Sequence, residues 1–232
     1  MPKRKEVDQT PHNGGEMDFR DTAGWRIFRI MGEFVEGFQF LKDLKREVTV
    51  FGSARVREGD RWYDMARELG AMLARHGFTV ITGGGPGIME AANRGAVEGD
   101  DGGESVGLNI QLPQEQRMNP YVKRGMGFHY FFTRKVMLSA SAQAYIFFPG
   151  GFGTLDEMLE LATLIQTKKM QRVPIILVGK EFWGGYLAWV KRAMRTGDRP
   201  YIDTKDLAIM QVVDSAKEAF SIVKKTKERP YF

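Results

Sequence analysis

Three glycine-bearing stretches and one cationic pair carry the chemistry open to this sequence. Pro149-Gly150-Gly151-Phe152-Gly153-Thr154-Leu155-Asp156-Glu157 sets a glycine-dense turn just ahead of a carboxylate. Gly83-Gly84-Gly85-Pro86-Gly87 is a second such turn, and Phe51-Gly52-Ser53-Ala54-Arg55 a sparser third. Glycine lets backbone approach an anion with no Cβ in the way. A helix N-terminus adds free N–H groups and partial positive charge. Both denser turns lead into helical patterns, so together they read as a phosphate cradle. Thr154 and Glu157 fit two roles. Thr-x-x-Glu is the spacing of a capping box. It also sets Glu157 one turn below a bound phosphate or sugar, where a carboxylate could hold ribose hydroxyls or activate water. Upstream, Arg134-Lys135 stand at a predicted helix start and oppose its dipole. They are either solvated surface cations or partners of something anionic. The aromatic run Phe128, Tyr130, Phe131, Phe132 reads as core.

Several chemistries drop out. Gly-x-Gly-x-x-Gly would need glycine at 88 or 90 in one turn and at 156 in the other, where Ile88, Glu90 and Asp156 stand. Neither turn continues as Gly-Lys-[Ser/Thr], so a P-loop is not expected. Gly-x-Ser-x-Gly and His-Glu-x-x-His do not occur. With three histidines and no cysteine, no metal site is expected, and disulfides and thiolate chemistry are excluded.

The elements that must position these residues follow from periodicity. Residues 1–20 are polar and read as a flexible tail. Trp25, Phe28, Met31, Phe34, Val35, Phe38 and Leu41 recur every three or four residues, which predicts a helix with one apolar face, capped by Asp21 or Thr22. Strands are predicted at Val48–Gly52, Phe78–Thr82, Ser105–Leu112, Ala144–Phe148, Val173–Gly179 and Leu207–Val213. Helices are predicted at Arg61–His76, Ile88–Val97, Thr133–Ala142, Leu155–Met170, Trp183–Met194 and Ser215–Lys227, with a long polar loop over Pro113–Gly127. This alternation predicts an α/β fold: a Rossmann-like parallel sheet with helices on both faces, in one domain over 21–232. Ligands of such sheets bind beyond the carboxyl ends of the strands, where the three turns lie.

Composition sets the context. The chain has 232 residues, 43% hydrophobic and 27% charged, as in ordinary globular proteins. The apolar runs 144–148 and 173–178 are far shorter than the ~18 residues of a membrane span. No signal peptide is legible, so a cytoplasmic protein without membrane attachment is expected. From Gln166 onward Lys and Arg outnumber Asp and Glu by 14 to 7, yet both signs are interspersed. This reads as solvated helices, and nucleic acid is not an expected partner.

With these residues in place, the sequence resembles the LONELY GUY family. Pro149 to Glu157 matches its Pro-Gly-Gly-x-Gly-Thr-x-x-Glu signature, and Arg134-Lys135 matches its second motif. The likeness runs from about Val48 to Trp189 and takes in Gly83 to Ala92. It implies a Rossmann-like fold, usually dimeric, and a phosphoribohydrolase that splits a nucleoside 5′-monophosphate into free base and ribose 5-phosphate without a cofactor. Many members carry an older label, lysine decarboxylase. By motif position, Arg134 and Glu157 would be catalytic. Ser53, Gly84, Gly85, Gly87, Lys135, Gly150, Gly151, Gly153 and Thr154 would bind the substrate, AMP-like or a cytokinin riboside monophosphate. Where cytokinin-activating members carry Met-His, this sequence has Phe131-Phe132, which resembles the broader bacterial branch. The alternative function is a nucleotide-binding sensor that uses the same turns without turnover.

Overall fold

The computed structural model describes residues 23–99, 104–111 and 118–229. The proposed tail at 1–20 and the capping residues Asp21 and Thr22 lie outside them, as does part of the proposed loop at 113–127. Seven parallel strands form one sheet: β1 (Glu47–Phe51), β2 (Thr79–Thr82), β3 (Ser105–Ile110), β4 (Arg124–Phe128), β5 (Ala144–Phe147), β6 (Ile175–Val178) and β7 (Met210–Val213). Their order is β4-β3-β2-β1-β5-β6-β7. From β1 the chain builds outward on one side through β4, then crosses back to start β5 on the other. The reversal point lies between β1 and β5, paired in register from Val48–Ala144 to Phe51–Phe147.

Apolar residues alternate across this sheet, and each side has its own core. Val48, Val50, Ile146, Ile176 and Val178 point toward α2 (Arg61–Arg75), α3 (Ile88–Glu98) and α7 (Ala216–Val223). Tyr145, Phe147, Ile175 and Leu177 point the other way, toward α4 (Phe131–Ala140), α5 (Phe152–Gln166) and α6 (Lys180–Met194), where Trp183 is fully buried. Each large side chain so buried contributes roughly 1.5–3 kcal/mol relative to exposure. Helices on both faces of an all-parallel sheet make the Rossmann-like α/β architecture that the alternation predicts.

Three local expectations need correction, and one open question is answered in part. The long loop expected over Pro113–Gly127 ends early: Arg124–Phe128 is strand β4, paired with β3 from Val106–Arg124 to Ile110–Phe128. Its two glycines and half-exposed edge position hide the usual strand signature. The segment 204–209 is a 3-10 turn and shortens the last strand. The first helix, α1 (Ala23–Lys42), forms as expected, and its apolar stripe is covered only in part: Leu41 and Phe34 meet the core, while Trp25, Phe28, Met31, Val35 and Phe38 stay exposed. The aromatic run splits, with Phe128 buried and Phe131 and Phe132 exposed. Among the described residues, no helix is long and apolar enough to cross a membrane.

Candidate active site

Backbone hydrogen bonds draw the three turns together at the reversal point. Ser53 N–H donates to Pro149 O at 3.0 Å, and Ile88 N–H donates to Ser53 O at 3.1 Å. The turn after β1 is thus tied both to the turn after β5 and to the start of α3. Gly52 permits this approach, because a Cβ there would lie 2.7 Å from Ile88 Cβ. Beside these turns lies an open cleft of about 720 Å³.

One wall of the cleft is the N-terminus of α5. The helix begins at Phe152 with Gly151 as its N-cap, and no side chain caps it. The capping-box reading of Thr154 and Glu157 is therefore corrected: both residues lie inside the helix, three and six places past the N-cap. The early N–H groups of any helix lack intrahelical acceptors. Here Gly151, Phe152 and Gly153 are exposed and line the cleft. A helix start of this kind suits an anion in dipole.

The opposite wall is α4, which brings Arg134 and Lys135 against α5. Lys135 Nζ lies 2.6 Å from Asp156 Oδ2, 3.0 Å from Glu160 Oε2 and 3.6 Å from Glu157 Oε2. These carboxylates are the anionic partners of Lys135, while Arg134 is drawn through charge to Glu157. Burial disfavours the ammonium, but the bonds to Asp156 and Glu160 outweigh it and raise the Lys135 pKa. Glu157 is only 6% exposed, and its Oε2 makes no hydrogen bond. Burial pushes its carboxyl up to about 7, against the pull of Lys135 and with further push from Glu160. Arg134 is half-buried, its pKa lowered by burial and partly restored by Glu157. An arginine keeps its charge regardless. Its Nε has no partner, and its Nη1 lies 3.3 Å from the place a Gly83 Cβ would take. The cleft therefore holds a fixed cation, a carboxyl poised near neutrality and an uncapped helix end.

A family model described as possible lysine decarboxylase matches residues 89–223. The chain belongs to the LONELY GUY family. It is 31% identical over 159 residues to the cytokinin riboside 5′-monophosphate phosphoribohydrolase LOG of Oryza sativa subsp. japonica, covering 66% of this chain and 63% of that protein. The enzyme of the same name from Mycobacterium tuberculosis is 28% identical over 164 residues, covering 67% of this chain and 82% of that one. This LONELY GUY chain thus spans less than two thirds of its rice relative. Among solved structures, the structural-genomics target TM1055 aligns with a TM-score of 0.56 at 27% identity, over 78% of this chain and 99% of that one. The molybdenum cofactor carrier protein of Chlamydomonas reinhardtii shares the fold, with a TM-score of 0.57 at 23% identity over 78% and 97%.

Not all the residues singled out by sequence reach the cleft of this LONELY GUY chain. Ser53, Arg134, Lys135, Gly151, Gly153, Thr154 and Glu157 line it. Gly150 stands behind, its missing side chain making room for Thr154. Gly84 and Gly85 are buried, and their carbonyls accept hydrogen bonds from Asn119. Gly87, at φ +72°, packs on the backbone of Ser53 and Ala54. Of that turn, Gly83 lines the cleft. Arg55, Met89, Leu138 and Phe152, outside the residues expected from the sequence, also line it. Arg55 was legible as the cation closing the first turn. Phe152, 92% exposed at the rim, was legible only as the variable place in the signature.

Proposed function

We propose that this protein is a phosphoribohydrolase that cleaves the N-glycosidic bond of a nucleoside 5′-monophosphate. The observation that carries this reading is the pairing of Glu157, its carboxyl near neutrality, with Arg134 across the cleft from the uncapped end of α5. The 5′-phosphate occupies the α5 N-terminus, beside Gly151, Gly153 and Thr154, with Ser53 and Arg55 at the first turn. Anchoring the phosphate places the ribose against Glu157 and makes the reaction effectively intramolecular. As the C1′–N bond lengthens, positive charge grows on the ribose, as in glycoside cleavage generally, and the carboxylate of Glu157 stabilises it. Water adds to C1′ and gives its proton to Glu157. The bonding pair leaves with the base, and the proton is returned there. Arg134 offsets negative charge on phosphate and departing base. The protein acts as a homodimer or larger homo-oligomer, to which the exposed apolar residues of α1 are suited.

A decarboxylase of the older label would need a Schiff-base lysine, and such a lysine works with a lowered pKa. Lys135, held by two carboxylates, is raised instead.

The test compares the best-hydrolysed nucleotide with its own nucleoside. A phosphate-anchored site predicts a kcat/KM at least about 10³-fold higher for the nucleotide. Equal rates would defeat the phosphate anchor. Nucleotide binding without turnover would favour the sensor.

A further inference from the structure

α4, which carries Arg134 and Lys135, is poorly equipped to hold itself. It spans ten residues, below the length at which isolated helices persist in water. Its N-cap, Tyr130, makes no side-chain cap. No acidic residue stands in its first turn and no basic residue in its last, so neither end complements the helix dipole. Arg134 and Lys135 near its start oppose that dipole.

Both ends are completed from distant parts of the chain. At the N-terminus, Glu33 of α1 accepts from His129 N–H at 2.6 Å and from Tyr130 N–H at 3.4 Å. Its Oε2 also lies 2.5 Å from Thr133 Oγ1, and Thr133 is fully buried. α1 can come this close because Gly37 has no side chain; a Cβ there would sit 2.6 Å from Met137 Sδ of α4. At the C-terminus, Arg229 Nη2 donates to Ser139 O at 3.1 Å and to Ala140 O at 2.5 Å. It also donates to the Tyr145 hydroxyl, which itself bonds to Ser139 O. Arg229 is 9% exposed. Its segment is anchored where Gln143 donates to Thr226 Oγ1 at 2.6 Å and Arg46 N–H to Glu228 at 3.0 Å. An anion therefore sits at the positive end of α4 and a cation at its negative end.

We propose that Glu33 and Arg229 are positioning residues that clamp α4 and so hold Arg134 and Lys135 against Glu157; the proposal rests on the hydrolase reading for its kinetic consequences. Glu157 is faced by Lys135 and Arg134 from α4, by Asp156 and Glu160 on its own helix, and Arg55 lines the same cleft. If α4 loosens, the Lys135 ammonium withdraws and the Glu157 carboxyl rises. Most of the proposed phosphate contacts belong to α5 and the first turn, so KM changes less than kcat.

The experiment measures nucleoside monophosphate turnover of the full chain and of Glu33→Ala across pH, with AMP-binding stoichiometry by calorimetry as the count of folded sites. The expected result is a kcat lower by about ten-fold or more, KM within about three-fold, and the acid limb of the pH profile raised by about half a unit. Glu33→Gln, whose amide oxygen still accepts from His129 N–H, should recover most of the loss. A mere loss of folded protein would lower the stoichiometry and leave the limb in place, which overturns the proposal, as does wild-type behaviour within two-fold. If Glu33→Ala does not fold, Arg229→Lys carries the same readouts. If the wild type hydrolyses no nucleotide, the hydrolase reading fails on its own. The clamp is then judged by hydrogen exchange. Amides of residues 134–137 exchanging about ten-fold faster in Glu33→Ala support it, and unchanged exchange rejects it.

Discussion

At the scale of the residue, Glu157 stands between opposed demands. Burial favours its protonated form, Lys135 and Arg134 favour the carboxylate, and burial prevails, leaving the group near pH 7. A base must be deprotonated to accept a proton from water, so kcat/KM is expected to rise with pH through about 7. Glu157→Gln should lower kcat by roughly 10² to 10⁴. Turnover close to wild type would leave the carboxyl no acid–base part. Lys135→Met removes the ammonium that holds the carboxyl down, and the acid limb should move to higher pH; a stationary limb would dissociate Lys135 from the working group. The same shift bears on stability. An unfolded Glu157 ionises near 4.5 and the folded one near 7, so between these values the folded state binds more protons. Its contribution is fully present below pH 4.5 and is lost as pH rises through 7. Glu157→Gln cannot ionise, so it should gain on wild type over that window by on the order of 3 kcal/mol, read from denaturant midpoints at several pH values. Arg134, Lys135 and Glu157 were legible in the sequence because glycine density and charge order mark them. Glu33 was not, since the hydroxyl it meets belongs to Thr133, 100 residues along the chain, and no local pattern encodes that meeting.

At the scale of the element, α5 begins without a side-chain cap, and the proposed phosphate would take the place of one. Gly153 lies in its first turn with open space where a Cβ would be. Alanine is the better helix former by roughly 1 kcal/mol, so Gly153→Ala should hold or raise the melting temperature. The added methyl faces the proposed phosphate, and nucleotide affinity should fall about ten-fold, near 1.4 kcal/mol. A variant that loses stability and keeps affinity would refute the phosphate placement. The glycines also explain why the start of α5 was misread. Thr154 has the chemistry of a cap, but the helix begins at Phe152, and Thr154 packs instead into the space left by Gly150. β4 was missed for the complementary reason. Arg124-Gly125-Met126-Gly127-Phe128 has too few apolar side chains to reveal an edge strand, which the pairing with β3 nevertheless forms.

At the scale of the whole molecule, the Rossmann-like sheet was legible from the regular exchange of short apolar strands and amphipathic helices. The reversal between β1 and β5 was not, because strand order is decided by packing on both faces. Periodicity marked the stripe on α1 as apolar but could not say what covers it. Trp25, Phe28, Met31, Val35 and Phe38 remain exposed, with Phe28 at 68%. If they form a subunit contact, the paired substitution Phe28→Glu and Val35→Glu should shift the protein to monomer in sedimentation, with the monomer fold intact by circular dichroism. An unchanged mass would remove that stripe from the assembly. The cleft at the sheet reversal is proposed to break a glycosidic bond. The most direct test offers the purified protein each common nucleoside 5′-monophosphate, together with isopentenyladenosine monophosphate, and reads free base and ribose 5-phosphate by chromatography. The expected result is equimolar release of both products from at least one nucleotide, abolished in Glu157→Ala. Saturable nucleotide binding with no base released from any of them would contradict it.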